Sequence, residues 1–116
     1  MEKLYGNCPF LATQKVLQGK WAIIILHQLS EGTKRFGELE KRIPEVTRSV
    51  LTRQLRQLEK DRLIDRRVYA EVPPRVEYSL SEIGRRFERV LSEIEVFGEQ
   101  YIREIQNRER TTADRR

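Results

Sequence analysis

The sequence predicts an α+β, mainly α fold, and two adjoining features carry this prediction. A basic amphipathic segment at residues 48–61 precedes two short segments, 64–68 and 76–80, in which apolar and polar side chains alternate. Between these two segments Pro73 and Pro74 end strand pairing, because proline cannot donate a hydrogen bond to a β ladder. A short helix followed by a β-hairpin is the order found in a winged helix-turn-helix, with the hairpin as its wing.

The length and charge of the chain limit its organisation and its partners. At 116 residues it is long enough for one compact core, and we expect a single domain over residues 1–106. Residues 47–80 contain eight Lys or Arg against five Asp or Glu, whereas residues 81–116 contain eight of each. The excess of basic residues thus lies in the part of the chain that contains the predicted helix and wing. This distribution favours a polyanionic partner. Charge alone leaves open a basic protein without such a partner.

Several protein classes are excluded by what the sequence lacks. No apolar run approaches the ~20 residues of a membrane span, and the first residues lack a signal-peptide pattern, so we expect a cytoplasmic protein with no membrane contact. One cysteine, Cys8, and one histidine, His27, cannot build a structural zinc site. There is no glycine-rich phosphate loop and no defensible carboxylate pair. We therefore predict no enzymatic activity, no metal and no cofactor.

Three helices are predicted before the basic segment. The first spans residues 9–17, and Pro9 suits its first position. The second spans residues 20–29 and is apolar nearly all round, as expected of a helix with neighbours on most sides. A short extended link at residues 33–35 leads into the third helix at 36–42. These helices are expected to form the core.

The fourth helix, at residues 48–61, is the predicted recognition helix, meaning the helix that would enter a DNA groove. Thr47 suits its N-cap, and a stripe of leucines at 51, 55 and 58 would be buried. The opposite face offers cations and hydroxyls, which can bond to bases and phosphates. Solvated helix faces also carry Arg and Lys in proteins that bind no DNA. The expected base-contacting residues are Arg48, Ser49, Thr52 and Arg53, with Arg56 and Lys60 on the same face.

The predicted wing consists of two half-buried antiparallel strands. Ile64 and Val68 in one strand, and Val76, Tyr78 and Leu80 in the other, alternate with polar residues. Pro73 and Pro74 would stiffen the tip. Arg67 and Arg75 are placed to touch phosphates, and Arg66 takes that role if the register shifts by one. Cross-strand pairing to Glu77 is the alternative for Arg67 and Arg75.

A long last helix is predicted from Ser81 to about Gln106, with a tail at 107–116 that we expect to be disordered. Its apolar residues recur at nearly heptad spacing, and a second stripe widens the face beyond what so small a core needs. This favours a homodimer; a purely intramolecular amphipathic helix is the alternative. The helices at about 9–17 and 81–106 would dimerise through Leu11, Phe87, Val90, Leu91, Ile94, Phe97, Gly98, Tyr101 and Ile102.

Six segments together resemble the HxlR-type winged helix-turn-helix regulators, over roughly residues 8–100. The Gly-Lys-Trp and Pro-Pro-Arg-Val-Glu-Tyr segments are specific to that family when found together. The matching segments are Cys8-Pro9, Gly19-Lys20-Trp21, Arg35-Phe36-Gly37-Glu38-Leu39, Leu51 to Glu59, Tyr69 to Leu80, and Gly84.

The resemblance implies a bacterial or archaeal homodimeric transcription regulator that binds inverted repeats near promoters, more often as a repressor. It implies that Thr47 to Arg56 contact the major groove and that Val72 to Arg75 form the wing. Arg62 departs from the family pattern, in which a glycine usually follows the acidic residue ending the recognition helix. A left-handed conformation at Arg62 would cost roughly 1 kcal/mol.

The resemblance also singles out Cys8, because some similar regulators sense oxidants or electrophiles through an N-terminal cysteine followed by proline. That chemistry needs the thiolate, and Cys8 immediately precedes the first predicted helix, whose N-terminus favours anions. An intersubunit disulfide or an adduct could then change the spacing of the recognition helices. The alternative is a reduced thiol that only packs.

A rival interpretation assigns the fold to protein interaction, with the last helix docking a partner and the basic face incidental. Salt dependence separates the two hypotheses, because several phosphate contacts make DNA affinity fall steeply with salt. The expected partners are double-stranded DNA and a second copy of the chain. A third hypothesis is regulation by a small molecule in a pocket between the core and the dimer helices, near Trp21 and Phe97; no polar cluster there identifies a ligand, so the effector is unknown.

Overall fold

The computed structural model describes residues 6–114, with side chains to residue 113. Within the span expected to form one domain, the chain forms two compact units, Met1–Arg86 and Phe87–Arg116. The described elements of the first unit are α1 (Pro9–Val16), α2 (Ala22–Ser30), β1 (Lys34–Arg35), α3 (Phe36–Arg42), α4 (Arg48–Lys60), β2 (Ile64–Tyr69), β3 (Arg75–Leu80) and α5 (Glu82–Arg86). The second unit contains α6 (Glu88–Asp114).

Helix α2 supplies a large part of the core through one face. Ala22, Ile25 and Leu26 are fully buried and Leu29 is nearly so. We expected neighbours on most sides of this helix, and for Ile23 and Ile24 that was wrong within the chain, because they are 39% and 38% exposed. Their side chains lie on the face that the first unit leaves uncovered.

Helix α4 has the predicted start and the predicted buried stripe. The Thr47 hydroxyl accepts a hydrogen bond from the Val50 amide at 3.3 Å, which confirms the N-cap. Leu51, Leu55 and Leu58 are buried, as predicted. Burying a leucine side chain contributes roughly 1.5–3 kcal/mol, so the stripe holds α4 firmly against the core.

The sheet has three antiparallel strands in the order β1-β3-β2. In the hairpin Ile64 pairs with Leu80 and Arg66 with Tyr78. The segment predicted as an extended link forms β1, in which Lys34 pairs with Tyr78 of β3. The prediction that Val68 is half buried was wrong, since it is 55% exposed near the hairpin loop, beyond the reach of the core.

The long helix predicted from Ser81 is interrupted. Ser81 caps the helix as predicted, because the Ser81 hydroxyl accepts a hydrogen bond from the Gly84 amide at 3.0 Å. The same hydroxyl donates to the Arg62 carbonyl at 2.6 Å. The helix then ends at Arg86, and a separate helix begins at Glu88. Gly84 lies within α5, where a Cβ would clash with the Leu63 carbonyl oxygen, so glycine allows α5 to pack closely against the backbone at Leu63.

Helix α6 extends beyond the predicted end at about Gln106. The prediction of disorder from residue 107 was wrong as far as Asp114, the last residue that the structure describes. Arg108 donates to Glu104 one turn earlier at 2.8 Å, and such i,i+4 pairs stabilise an exposed helix. The hydroxyls of Thr111 and Thr112 donate to carbonyls of the preceding turn.

Across residues 6–114, no helix combines the length and the apolar character that crossing a membrane requires.

The turn after α4 gives a test of backbone strain. Arg62 has a φ of +66°, the left-handed region that disfavours side chains. We expect Arg62→Gly to raise the free energy of unfolding by about 1 kcal/mol above that of Arg62→Ala, because both variants lose the side chain and only alanine keeps the Cβ. Urea unfolding followed by circular dichroism measures the difference. A glycine variant no more stable than the alanine variant would contradict this explanation.

Candidate nucleic-acid interface

The face of α4 opposite its leucine stripe is exposed and basic. Ser49, Arg53, Arg56 and Lys60 lie on it, and all four are exposed. Within residues 6–114, Arg53 and Arg56 form no ion pair or hydrogen bond with another side chain. Their guanidinium groups are therefore available to an external acceptor.

Arg48 and Thr52 lie at the edge of that face, toward the hairpin, and both have partners in the chain. The Arg48 guanidinium lies 3.7 Å from Glu40 and 5.0 Å from the centre of the Phe36 ring, yet its side chain is 76% exposed. The Thr52 hydroxyl donates to the Arg48 carbonyl at 2.9 Å. Thr52 can therefore accept a further hydrogen bond but has no second proton to donate.

A cleft separates α4 from the hairpin. The Arg66 Nε donates to Glu59 Oε2 at 3.0 Å, so this ion pair joins β2 to α4. Glu59, through this hydrogen bond and its charge, raises the pKa of Arg66. The pKa of Tyr78 is raised, mainly by burial, although the positive charges of Arg66 and Arg56 act in the opposite direction. The lining residues are Phe36, Arg48, Thr52, Leu55, Arg56, Glu59, Arg66, Val76 and Tyr78.

The hairpin carries Arg75 in a network of its own. Its guanidinium lies 3.9 Å from the centre of the Tyr69 ring, 3.5 Å from Glu71 and 3.8 Å from Glu77. Pairing with Glu77, the alternative that the sequence left open for Arg75, is present. Arg75 therefore braces the hairpin from within.

Unlike Arg75, Arg67 and the hairpin loop are exposed. The Arg67 guanidinium stacks 4.9 Å from the Tyr69 ring centre, and its side chain is exposed. Val72, Pro73 and Pro74 are exposed at the hairpin loop. The loop and Arg67 are thus accessible to a partner.

One residue that positions α4 was missed from the sequence. Gln54 is buried and donates through Nε2 to the Gln18 carbonyl at 3.0 Å, which joins α4 to the loop before α2. Gly19 in that loop has a φ of +97°, and a Cβ there would clash with Gln54 Oε1. The available signal was a polar side chain within the leucine stripe of an amphipathic helix.

The residues predicted for a dimer interface differ in exposure. Val90 is 43%, Phe97 65%, Tyr101 56% and Ile102 56% exposed, whereas Leu91 is buried. The rings of Phe97 and Tyr101 stack with centroids 6.0 Å apart. Phe87, Ile94, Gly98 and Leu11 are half-buried. Phe10, which precedes Leu11 and was not among the predicted residues, is 85% exposed.

Cys8 is the N-cap residue of α1 and is half-buried. Its carbonyl accepts a hydrogen bond from the Ala12 amide at 3.0 Å. No group of three or more His, Cys, Asp or Glu side chains suited to a metal ion occurs in the described part of the chain.

The model of the HxlR-like helix-turn-helix family matches residues 16–106. This chain belongs to that family. It is also 46% identical over 97 residues to YdeP of Bacillus subtilis (strain 168), an uncharacterized HTH-type transcriptional regulator, with 84% of this chain and 76% of YdeP covered. The helix-turn-helix regulator assignment and the winged fold predicted from the sequence are confirmed.

Two solved structures of transcriptional or redox regulators resemble this fold. The redox regulator HypR in its reduced form superposes with a TM-score of 0.81 at 39% identity, covering 86% of this chain and 99% of HypR. Diamide-treated YodB from B. subtilis gives a TM-score of 0.68 at 32% identity, covering 81% of this chain and 94% of YodB. The family match contains α4 and the hairpin but begins after Cys8. The chain is therefore a DNA-binding transcriptional regulator of the helix-turn-helix type, and its relatives indicate no enzymatic family.

Proposed function

We propose that this protein is a sequence-specific homodimeric repressor that binds an inverted-repeat operator. The observation that carries the proposal is the exposed face of α4, where Arg53 and Arg56 have no side-chain partner within the described residues. Arginine bonds to guanine through two parallel hydrogen bonds, and this contact separates one base pair from another. A DNA partner in a bacterium or archaeon also makes the cytoplasm the site of action.

In this proposal α4 enters the major groove and the hairpin lies along the neighbouring backbone. Ser49, Thr52 and Arg53 lie on or beside the exposed α4 face in its N-terminal half, the half whose side chains usually reach base edges. Thr47 caps the N-terminus of α4. Arg48 and Arg56 flank the residues that contact bases. Arg67, with Pro73 and Pro74 at the loop, forms the accessible part of the wing. Arg66 and Arg75 support it through their ion pairs.

The exposed apolar residues of α6 support dimerisation. Phe97, Tyr101 and Ile102 form an uncovered patch of a kind that marks interaction surfaces. A Cβ on Gly98 would meet nothing within 4 Å, so a second helix can approach closely there. Residues 88–99 carry four Glu and one Arg, while residues 103–110 carry three Arg and two Glu. Antiparallel pairing would set the acidic half against the basic half.

A two-fold dimer suits an inverted repeat, because it presents two identical recognition helices to successive major grooves about 34 Å apart. An operator overlapping a promoter would exclude the transcription machinery, which gives repression.

We extend the proposal to oxidant sensing by Cys8. The relatives HypR and YodB support it, since HypR is a redox regulator and YodB has been solved after diamide treatment. Cys8 is the chain's one cysteine, so any disulfide it forms within a dimer joins the two subunits. Diamide would take one hydrogen from each of the two Cys8 thiols. The resulting bond would restrain the two α1 helices and change the spacing of the two recognition helices.

The base-contacting role of α4 is tested by Arg53→Ala. We expect a loss of about 1–3 kcal/mol in the preference for operator over scrambled duplex, because the bidentate contact is lost, with a smaller loss on scrambled DNA. Fluorescence anisotropy on both duplexes measures it. Lys60→Ala is the control, since it removes one charge from the same helix and should weaken both complexes equally. An Arg53→Ala variant that keeps full preference would assign the base contacts to other residues.

The dimer is tested by Tyr101→Glu. We expect the variant to sediment as a monomer, because a buried, unpaired carboxylate at the contact is costly. Tyr101 is exposed in the single chain, so the helix itself should still form, which circular dichroism checks. Gln100→Glu, on another face of α6, adds the same charge and should remain dimeric. A dimeric Tyr101→Glu protein would exclude this face as the interface.

The sensor role is tested by Cys8→Ser. Diamide should lower the operator affinity of the wild-type protein, and a reductant should restore it, while the variant should not respond. Non-reducing electrophoresis should show an oxidised wild-type species at twice the chain mass. If diamide affects the serine variant as strongly as the wild type, Cys8 has no part in the response.

A further inference from the structure

We propose that the cleft between α4 and the hairpin binds one phosphate group of the DNA backbone, with Arg56, Arg66 and the Tyr78 hydroxyl as donors. This inference rests on the proposed function and deepens it. It adds Tyr78 to the interface as a donor, although the sequence placed Tyr78 only among the buried strand residues.

The position of the cleft follows from the shape of the duplex. One sugar-phosphate strand separates the major groove from the minor groove beside it. A protein with α4 in the major groove and its hairpin along the neighbouring backbone must hold that strand between the two elements. The surface facing the strand is then the cleft between the two elements, lined by α4 on one side and by β2 and β3 on the other.

The cleft has donors that the chain does not use. Arg56 is exposed and forms no ion pair with another described residue. Arg66 engages Glu59 through Nε alone, which leaves its two terminal amino groups for another acceptor. The Tyr78 hydroxyl forms no hydrogen bond with any described residue, although Arg66 and Arg56 lie close enough to act on it electrostatically. Three donors thus surround one volume.

Glu59 acts as the positioning residue of this arrangement. Its carboxylate receives the Arg66 Nε proton at 3.0 Å and fixes the plane of the guanidinium. Side-chain exposures of 47% for Arg66 and 35% for Glu59 leave the pair partly solvated, so its own contribution to stability is small. Its effect is to restrict the rotamers of Arg66 before a ligand arrives.

The chemistry of the lining selects a phosphate over other ligands. Three arginines and one glutamate line the cleft, so a cation is disfavoured there. Phe36, Leu55 and Val76 supply an apolar side, next to which charge-assisted hydrogen bonds are stronger than in water. Arginine and tyrosine donors are among those that commonly contact DNA phosphates.

The test uses Tyr78→Phe, which removes only the hydroxyl, and Arg66→Gln, which removes one charge. Anisotropy is measured on the operator and a scrambled duplex across a salt series. We expect Tyr78→Phe to weaken both complexes about tenfold with unchanged sequence preference. Arg66→Gln should reduce the slope of log affinity against log salt by about 0.9. The matched controls are Tyr69→Phe, which removes a hydroxyl from the same hairpin, and Arg85→Gln in α5.

Methylphosphonate substitution identifies the phosphate. Operator duplexes with one neutral linkage at a time should lose affinity for the wild-type protein at one position per half-site. Tyr78→Phe should lose less affinity than the wild type at that position and as much at every other position, because the hydroxyl contact is already absent while Arg56 and Arg66 still bind that phosphate. If Tyr78→Phe binds every duplex as tightly as wild type does, the proposal is wrong.

Inorganic phosphate, compared with chloride at equal ionic strength, tests a free anion as the occupant. The backbone assignment would be overturned by two results together. Inorganic phosphate would compete with DNA for the wild type but not for Tyr78→Phe, and no methylphosphonate position would have a different effect on the two proteins. A different result would contradict the proposed function, namely that the wild-type protein shows no preference for the operator. The effect of Tyr78→Phe can still be measured on the scrambled duplex in that case, because every duplex carries phosphates.

Discussion

The buried leucine stripe of α4 fixes the direction in which the opposite face of that helix points. Leu51, Leu55 and Leu58 are held in the core, so a rotation of α4 about its axis would expose them. The Gln54 hydrogen bond to the Gln18 carbonyl adds a polar contact that only one rotation of the helix satisfies. The exposed arginines are therefore directed outward by residues that never touch a ligand.

Ion pairs then divide the cations of this region into two groups. Arg48, Arg66 and Arg75 are engaged by Glu40, by Glu59, and by Glu71 with Glu77. Arg53 and Arg56 have no such partner among the described residues. Arg66 joins the hairpin to α4 and Arg75 braces the hairpin, whereas Arg53 and Arg56 are available to an external acceptor. A similar division holds for the hydroxyls, since Thr47 caps α4 and Thr52 donates to the backbone.

The sequence predicted elements whose signals are local. The N-cap at Thr47, the leucine spacing of α4 and the proline-flanked hairpin each depend on a few neighbouring residues. Elements that depend on distant contacts were missed. Lys34–Arg35 becomes a strand only because β3 pairs with it, and Val68 is exposed because the hairpin extends past the core.

The candidate site shows the same limit. Residue types placed the arginines on one helix face, but pairing of Arg75 with Glu71 and Glu77 depends on the conformation of the hairpin loop. The cleft beside Tyr78 depends on the angle between α4 and the hairpin, which no local pattern contains. The helix beyond Gln106 was underestimated, because i,i+4 pairs such as Glu104 with Arg108 stabilise a polar helix that lacks an apolar stripe.

The most direct test of the central claim is the binding of the purified protein to duplex DNA from its own upstream region, compared with a scrambled duplex, across several salt concentrations. We expect tight binding that prefers the upstream duplex, with affinity falling steeply as salt increases because phosphate contacts release counterions. Equally weak binding to both duplexes, with little dependence on salt, would contradict the claim and would identify the basic face as incidental to a protein-docking module.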